Sequence, residues 1–165
     1  MEQNEQQLTN AYNEHGDALF RFCLFKISNR EKALDIVQET FTKVWQYLVN
    51  GHTIENIKPF LYTTARHLII DEYRKKKIVS LDALIDLGLE PHTEIAEALY
   101  VSIDASRVME YVQQLPEPYT SILIMRYVND LSIQEIATIL NESENVISVR
   151  IHRGLGKLKK IILLS

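Results

Sequence analysis

The chain carries a single cysteine, Cys23, among its 165 residues. One thiol excludes an internal disulfide. With no charged-then-apolar leader at the start, a reducing cytoplasm is the expected home. Five glycines and four prolines are too few for a collagen-like or turn-dense β chain. No apolar run approaches membrane-spanning length, so no membrane contact of its own is expected. The five histidines, at positions 15, 52, 67, 92 and 152, lack metal-ligand spacing and cysteine partners, and neither a metal nor a cofactor is expected. A glycine-rich phosphate loop and a nucleophile with a base at usable spacing are also missing, which argues against an enzyme and against a small-molecule substrate.

Charge of one sign is missing from the middle. Residues 78–105 contain no lysine or arginine but six acids: Asp82, Asp86, Glu90, Glu94, Glu97 and Asp104. Positive charge gathers instead at Arg74-Lys75-Lys76-Lys77 and, from Asn145 onward, at Arg150, Arg153, Lys157, Lys159 and Lys160 with no acid among them. Each basic run complements a helix C-terminal dipole or could hold a phosphate. The net charge of −4 therefore averages over a strong partition.

What is present is apolar spacing of helical period. The expected fold is all-α: two small helical domains, residues 1–77 and 106–165, joined by an acidic linker over 78–105, with a helix-turn-helix in the second. In the first half helices are expected over 5–27, 31–49 and 59–76. Along the second of these, Leu34, Val37, Phe41, Val44, Trp45 and Leu48 form a stripe that faces a core. Asp35, Gln38, Glu39 and Thr42 fall on another stripe, which is either solvated or a docking surface. Cys23, inside the run Leu19 to Phe25, reads as a packed, inert thiol. After the loop Asn50 to Asn56, Pro59 sits where a first-turn proline is tolerated. Phe60, Tyr62, Thr63, Thr64, Arg66 and His67 then combine rings, hydroxyls and positive charge. That mixture suits either a core or the stacking of unpaired bases.

In the second half, Pro116 and Pro118 precede a helix expected over 119–128. Ser132 and Glu135 form a capping box that opens a helix to Leu140. Asn141 suits the left-handed position after it, and Ser143 caps the next helix. Two helices joined by so tight a turn, with Ala137 allowing close approach, match a helix-turn-helix whose second helix enters the major groove. On that helix Ile147, Ile151, Gly154 and Leu158 share a buried stripe, and Asn145, Ser148, Val149 and His152 lie opposite, facing bases. Arg150 and Arg153 flank them, where side chains meet phosphates.

These strings resemble bacterial RNA polymerase sigma factors of the extracytoplasmic function (ECF) type, within the sigma-70 superfamily. The resemblance spans about residues 10–77 and 106–162. It rests on Leu34-Asp35-Ile36-Val37-Gln38-Glu39-Thr40-Phe41 with Val44-Trp45, on Phe60-Leu61-Tyr62 with Ala65-Arg66, on Leu115-Pro116-Glu117 with Ile122-Leu123 and Arg126-Tyr127, and on Ile136-Ala137 through Val149 to Arg153. Four motifs in this order and spacing are specific.

The resemblance implies roles. Leu34, Asp35, Gln38 and Glu39 would dock on core RNA polymerase. Gly51, His52, Thr53 and Asn56, with Phe60, Thr63, Arg66, His67 and Arg74, would capture an extruded base of the minus-ten element. Glu144, Asn145, Ser148, Val149, Arg150, His152 and Arg153 would read the minus-thirty-five element of promoter DNA. The acidic linker would run through the polymerase, and an anti-sigma factor would restrain the chain. Departures from the family pattern are His67 in place of a common asparagine, Glu142 where an apolar residue is usual, Ser148 in place of a basic residue, and Gly154 and Gly156 inside the last helix. Weak binding by residues 106–165 alone is expected, with tethering to polymerase making up the difference. The alternative is a stand-alone helix-turn-helix regulator that binds duplex DNA without polymerase; it leaves the Asp35, Gln38, Glu39 stripe without a task.

Overall fold

The computed structural model describes the backbone of residues 1–83 and 103–165 and the side chains of residues 1–76 and 107–165. The chain forms two compact units, Met1–Ala98 and Leu99–Ser165. Among the described residues every regular element is a helix, and no helix is long and apolar enough to cross a membrane.

Unit 1 contains α1 (Glu2–Ile27), α2 (Arg30–Val49) and α3 (Ile57–Ala83). The connection between α1 and α2 is two residues long because each has a terminal task. Ser28 takes the left-handed conformation, φ 56°, and donates its N–H to Leu24, while Asn29 caps α2 by accepting from the Lys32 N–H at 3.0 Å. So short a turn makes the helices antiparallel neighbours. α3 closes the bundle with Leu61, Tyr62, Ala65 and Ile69 buried against Leu19, Phe22 and Cys23 of α1 and Val44 and Leu48 of α2. Tyr62 is fully buried, its ring edge-on to Phe22 at 5.2 Å. It belongs to the core and is removed from the base-stacking candidates. Burial pushes the Cys23 thiol up to about 12, in keeping with an inert packing role.

Two expectations for this unit change. Leu34 is 49% exposed and Trp45 half-buried, so neither is a central core residue. The buried arc of α2 centres on Ala33, Thr40 and Val44, and at 100° per residue Leu34 and Trp45 stand roughly 90–110° from its middle. α3 also continues past Arg74-Lys75-Lys76 to Ala83, because no glycine or proline stands between Pro59 and Gly88. The basic run is thus inside a helix and complements no C-terminal dipole. Of the acidic stretch 78–105, residues 84–102 lie outside the described residues, and 78–83 and 103–105 belong to the helices that flank it.

Unit 2 contains α4 (Ile103–Gln113), α5 (Tyr119–Leu123) continuing into a wider π turn (Ile124–Val128), α6 (Ile133–Leu140) and α7 (Glu144–Leu164). Ile122, Met125, Leu131, Ile136 and Ile147 are fully buried and form its core. The Thr120 hydroxyl donates to the Leu115 carbonyl at 2.7 Å, tying α5 to the end of α4 around the two prolines. Where α7 crosses α5, a Cβ on Gly154 would stand 3.4 Å from the Leu123 side chain. Gly154 therefore permits close helix approach, and its propensity cost of about 1 kcal/mol has a packing return.

Candidate nucleic-acid interface and docking face

The helix-turn-helix is built from local signals. Ser132 Oγ accepts from the Glu135 N–H at 3.0 Å and the Glu135 carboxylate accepts from the Ser132 N–H at 3.3 Å, which completes the capping box. Asn141 adopts φ 52°, ψ 48° and ends α6, and Ser143 Oγ accepts from the Val146 N–H at 3.2 Å to open α7. Two termini are thereby satisfied within four residues of chain. Ile147, Ile151 and Gly154 bury the inner face of α7, and Glu144, Asn145, Ser148, Val149, His152 and Arg153 are exposed. The outer face thus presents an amide, a hydroxyl, an isopropyl group and an imidazole, a set able to address base edges and a thymine methyl.

Arg150 stands apart from that face. It is half-buried, and its Nη1 lies 2.5 Å from Glu142 Oε1 in the turn. The acid that departs from the family pattern thus holds one of the basic residues of the reading helix.

In unit 1 the loop after α2 depends on Gly51, whose φ of 88° is open to glycine at little cost. The turn is closed by the Gly51 N–H on Leu48 and the His52 N–H on Tyr47. Ile54 is buried and pins the loop, leaving Gly51, His52, Thr53 and Asn56 exposed. From the opposite side, Asn4 Nδ2 donates to the Leu48 carbonyl at 3.3 Å and Gln7 Nε2 to the Ile54 carbonyl at 3.1 Å.

His52 and Phe60 are brought together through a residue that pattern reading passed over. Tyr47 stacks on His52 at 4.3 Å with an interplanar angle of 22° and also meets Phe60 at 5.0 Å, tilted by 41°. The result is a three-ring ladder beside the loop. The available signal was an aromatic on the polar side of a helix, one turn before a loop. Thr63 and Arg66 are half-buried on α3 and His67 is exposed. Arg74 lies seven residues beyond His67, about 10 Å along the axis, and is the most remote of the set.

On α2, Leu34, Asp35, Gln38 and Glu39 are all exposed, while Ile36, Val37, Thr40 and Phe41 between and beside them are buried. The exposed row borders an open groove of about 610 Å³ walled by Tyr12, Leu34, Gln38 and Trp45. Tyr12 keeps one ring edge on Phe41 at 5.1 Å. The row thus combines two acids, an amide and exposed apolar area. On its other flank Lys32 Nζ bonds Glu72 at 2.8 Å, and this hydrogen bond holds the Glu72 carboxyl below its ordinary range.

Two helical units with these surfaces match the Sigma-70 region 2 model over residues 11–78 and the Sigma-70 region 4 model over residues 105–158. They define a sigma factor of the sigma-70 class. The chain is 30% identical to ECF RNA polymerase sigma factor SigW of Bacillus subtilis over 154 residues, covering 87% of this chain and 82% of SigW. It is 31% identical to RNA polymerase sigma factor SigV of the same organism over 156 residues, covering 94% and 90%. With ECF sigma factor SigL of Mycobacterium tuberculosis it shares 28% identity over 149 residues, 90% and 84% of the two chains. Two solved structures share the fold. One is the sigma factor RpoE of Bartonella quintana in complex with the anti-sigma factor NepR, with a TM-score of 0.72 at 21% identity over 100% of this chain and 99% of that one. The other is CnrH in complex with the cytosolic domain of CnrY, with a TM-score of 0.69 at 18% identity over 98% and 90%. The chain belongs to the ECF sigma factors and directs transcription initiation.

Proposed function

We propose that the two halves of this initiation factor divide its work. Residues 1–77 dock on core RNA polymerase through Leu34, Asp35, Gln38 and Glu39. The same unit captures an unpaired base of the minus-ten element with Gly51, His52, Thr53 and Asn56, supported by Phe60, Thr63, Arg66, His67 and Arg74. Residues 106–165 read the minus-thirty-five duplex with Glu144, Asn145, Ser148, Val149, Arg150, His152 and Arg153, and residues 78–105 link the two. The chain supplies no catalysis of its own; it positions the polymerase and helps open the DNA.

One observation carries the docking assignment. Leu34, Asp35, Gln38 and Glu39 are exposed on a helix whose other face is fully committed to the core, so this row is spared from holding the fold. The ring ladder supports base capture as well, since His52 and Tyr47 are exposed and a free ring face offers stacking of about 1–3 kcal/mol per base. Restraint by an anti-sigma factor is supported by the Bartonella quintana neighbour, which is itself in complex with one.

Pull-down of the full chain with core RNA polymerase tests this reading. Asp35→Ala with Gln38→Ala is expected to weaken capture about tenfold or more, the scale of a central interface residue. Undiminished capture overturns the docking assignment. Tight duplex binding without polymerase would favour the stand-alone regulator.

A further inference from the structure

The first three turns of α1 carry five side-chain amides: Gln3, Asn4, Gln6, Gln7 and Asn10. They form one wall of an open groove of about 520 Å³, and His52 and Thr53 of the loop contribute to the other. Asn4 fastens the last turn of α2 through the Leu48 carbonyl, and Gln7 fastens the loop through the Ile54 carbonyl. Gln6 Nε2 donates to Asn10 Oδ1 at 2.8 Å on the exposed side, and Gln3 is exposed. No Asp, Glu, Lys or Arg lines the groove.

That lining selects a class of ligand. A phosphate would find no cation, and a purely apolar group would strand the amides without partners. A nucleobase edge carries adjacent donors and acceptors, which one carboxamide matches with two hydrogen bonds. A base in the groove also meets the His52 end of the ring ladder, where its face can stack. The volume falls within the roughly 300–1,000 Å³ usual for small-ligand sites.

We infer that Gln3, Gln6 and Asn10 read the edge of an unpaired nucleobase next to the one captured by the loop, so that α1 is a specificity element of the strand-binding surface. This rests on the reading of the loop as a strand-capturing element. Asn4 and Gln7 hold the end of α2 and the loop in place, and the exposed three do the reading.

The test uses the full chain bound to core RNA polymerase and a fork-junction DNA whose single-stranded overhang is randomised, with bound molecules recovered and sequenced. The wild-type chain enriches particular bases at certain overhang positions. Gln3→Ala, Gln6→Ala and Asn10→Ala combined should flatten the preference at one position about tenfold while leaving the others. A second variant, Gln3→Glu with Gln6→Glu, keeps the helix and replaces amide donors by acceptors, so the preference there should move toward guanine, whose unpaired edge presents two adjacent N–H donors to a carboxylate. A profile identical to wild type in both variants overturns the inference, and so does a uniform loss of binding with no change in profile. A parallel arm, His52→Ala with Phe60→Ala, separates the two readings. Unchanged strand binding in that arm overturns the loop reading and this inference with it. Lost binding there beside an unchanged profile in the amide variants overturns this inference alone.

Discussion

Glu142 and Arg150, eight residues apart, are joined across the turn of the helix-turn-helix by an ion pair of 2.5 Å. Both side chains are about one-third exposed, so the pair is a surface-type contact worth about 0.2–1 kcal/mol. Its larger effect is on DNA, because an arginine bonded to a carboxylate is a poorer phosphate ligand. Glu142→Gln should tighten binding of a generic duplex by the full chain and steepen the slope of log K against log salt by about 0.9, the value of one added phosphate contact. Fluorescence anisotropy across a salt series measures both, and an unchanged slope would show that Arg150 stays away from phosphate even when released.

The two glycines of α7 should respond oppositely to substitution. Gly156 has open space where a Cβ would go, so Gly156→Ala should stabilise unit 2 by about 0.5–1 kcal/mol through helix propensity. Gly154→Leu forces a side chain against Leu123 and should cost about 1–3 kcal/mol. Trp45 is the sole tryptophan and sits in unit 1. Urea unfolding followed by far-ultraviolet circular dichroism should therefore report both changes, and the tryptophan fluorescence transition should stay in place.

Stability should depend on pH through Glu72. The hydrogen bond from Lys32 lowers its pKa first, burial opposes it, and the charges of Lys32, Lys75 and Lys76 add to the lowering. A carboxyl depressed in the folded state stabilises above its unfolded pKa, and that contribution is lost as pH falls through the folded value. The stability difference between wild type and Glu72→Gln should be present at neutral pH, at no more than about 1 kcal/mol, and shrink as pH falls below the ordinary carboxylate range and through the lowered folded value. Urea unfolding at a series of pH values checks it; a difference that persists in acid would place the effect outside the ion pair.

Tyr47 should matter to strand binding through its ring alone. Tyr47→Ala removes the middle of the ladder and should weaken binding of a single-stranded overhang by polymerase-bound chain about tenfold, within the range for one stacked base. Tyr47→Phe should retain it. Equal losses in the two variants would point to the hydroxyl instead.

The helix-turn-helix was legible in the sequence because its determinants are local. Ser132 with Glu135, Asn141 and Ser143 each act within four residues of chain, and their geometry follows from residue type. Inward and outward faces of α7 were legible for the same reason, except that Leu158, expected on the buried stripe, is only half-buried near the end of the helix. What escaped is pairing that only the folded chain creates. Tyr62 and Tyr47 are aromatics of similar composition, yet Phe22 takes one into the core and His52 holds the other at the surface. Leu34 fits an apolar stripe by spacing, but the buried arc of α2 is set by where α1 and α3 lie. Likewise Arg150 occupies a phosphate-facing flank on a helical wheel, and Glu142, in the preceding turn, reaches it only once the turn has formed. Continuation of α3 past its basic run is legible in the absence of a breaker between Pro59 and Gly88; a basic cluster resembles a helix end but does not itself stop a helix.

α1 and α2 are joined by two residues at one end; at the other, Asn4 holds the last turn of α2, Gln7 holds the loop at the Ile54 carbonyl and the Ile54 side chain is buried. A loop anchored at its Ile54 side chain and carbonyl has surrendered conformational freedom there during folding, at about 1–2 kcal/mol per backbone residue. That entropy is therefore not charged again when DNA arrives. If this loop is the strand-capturing element proposed above, the thermal sensitivity of promoter opening should report the unstacking of bases, with little contribution from ordering of the loop.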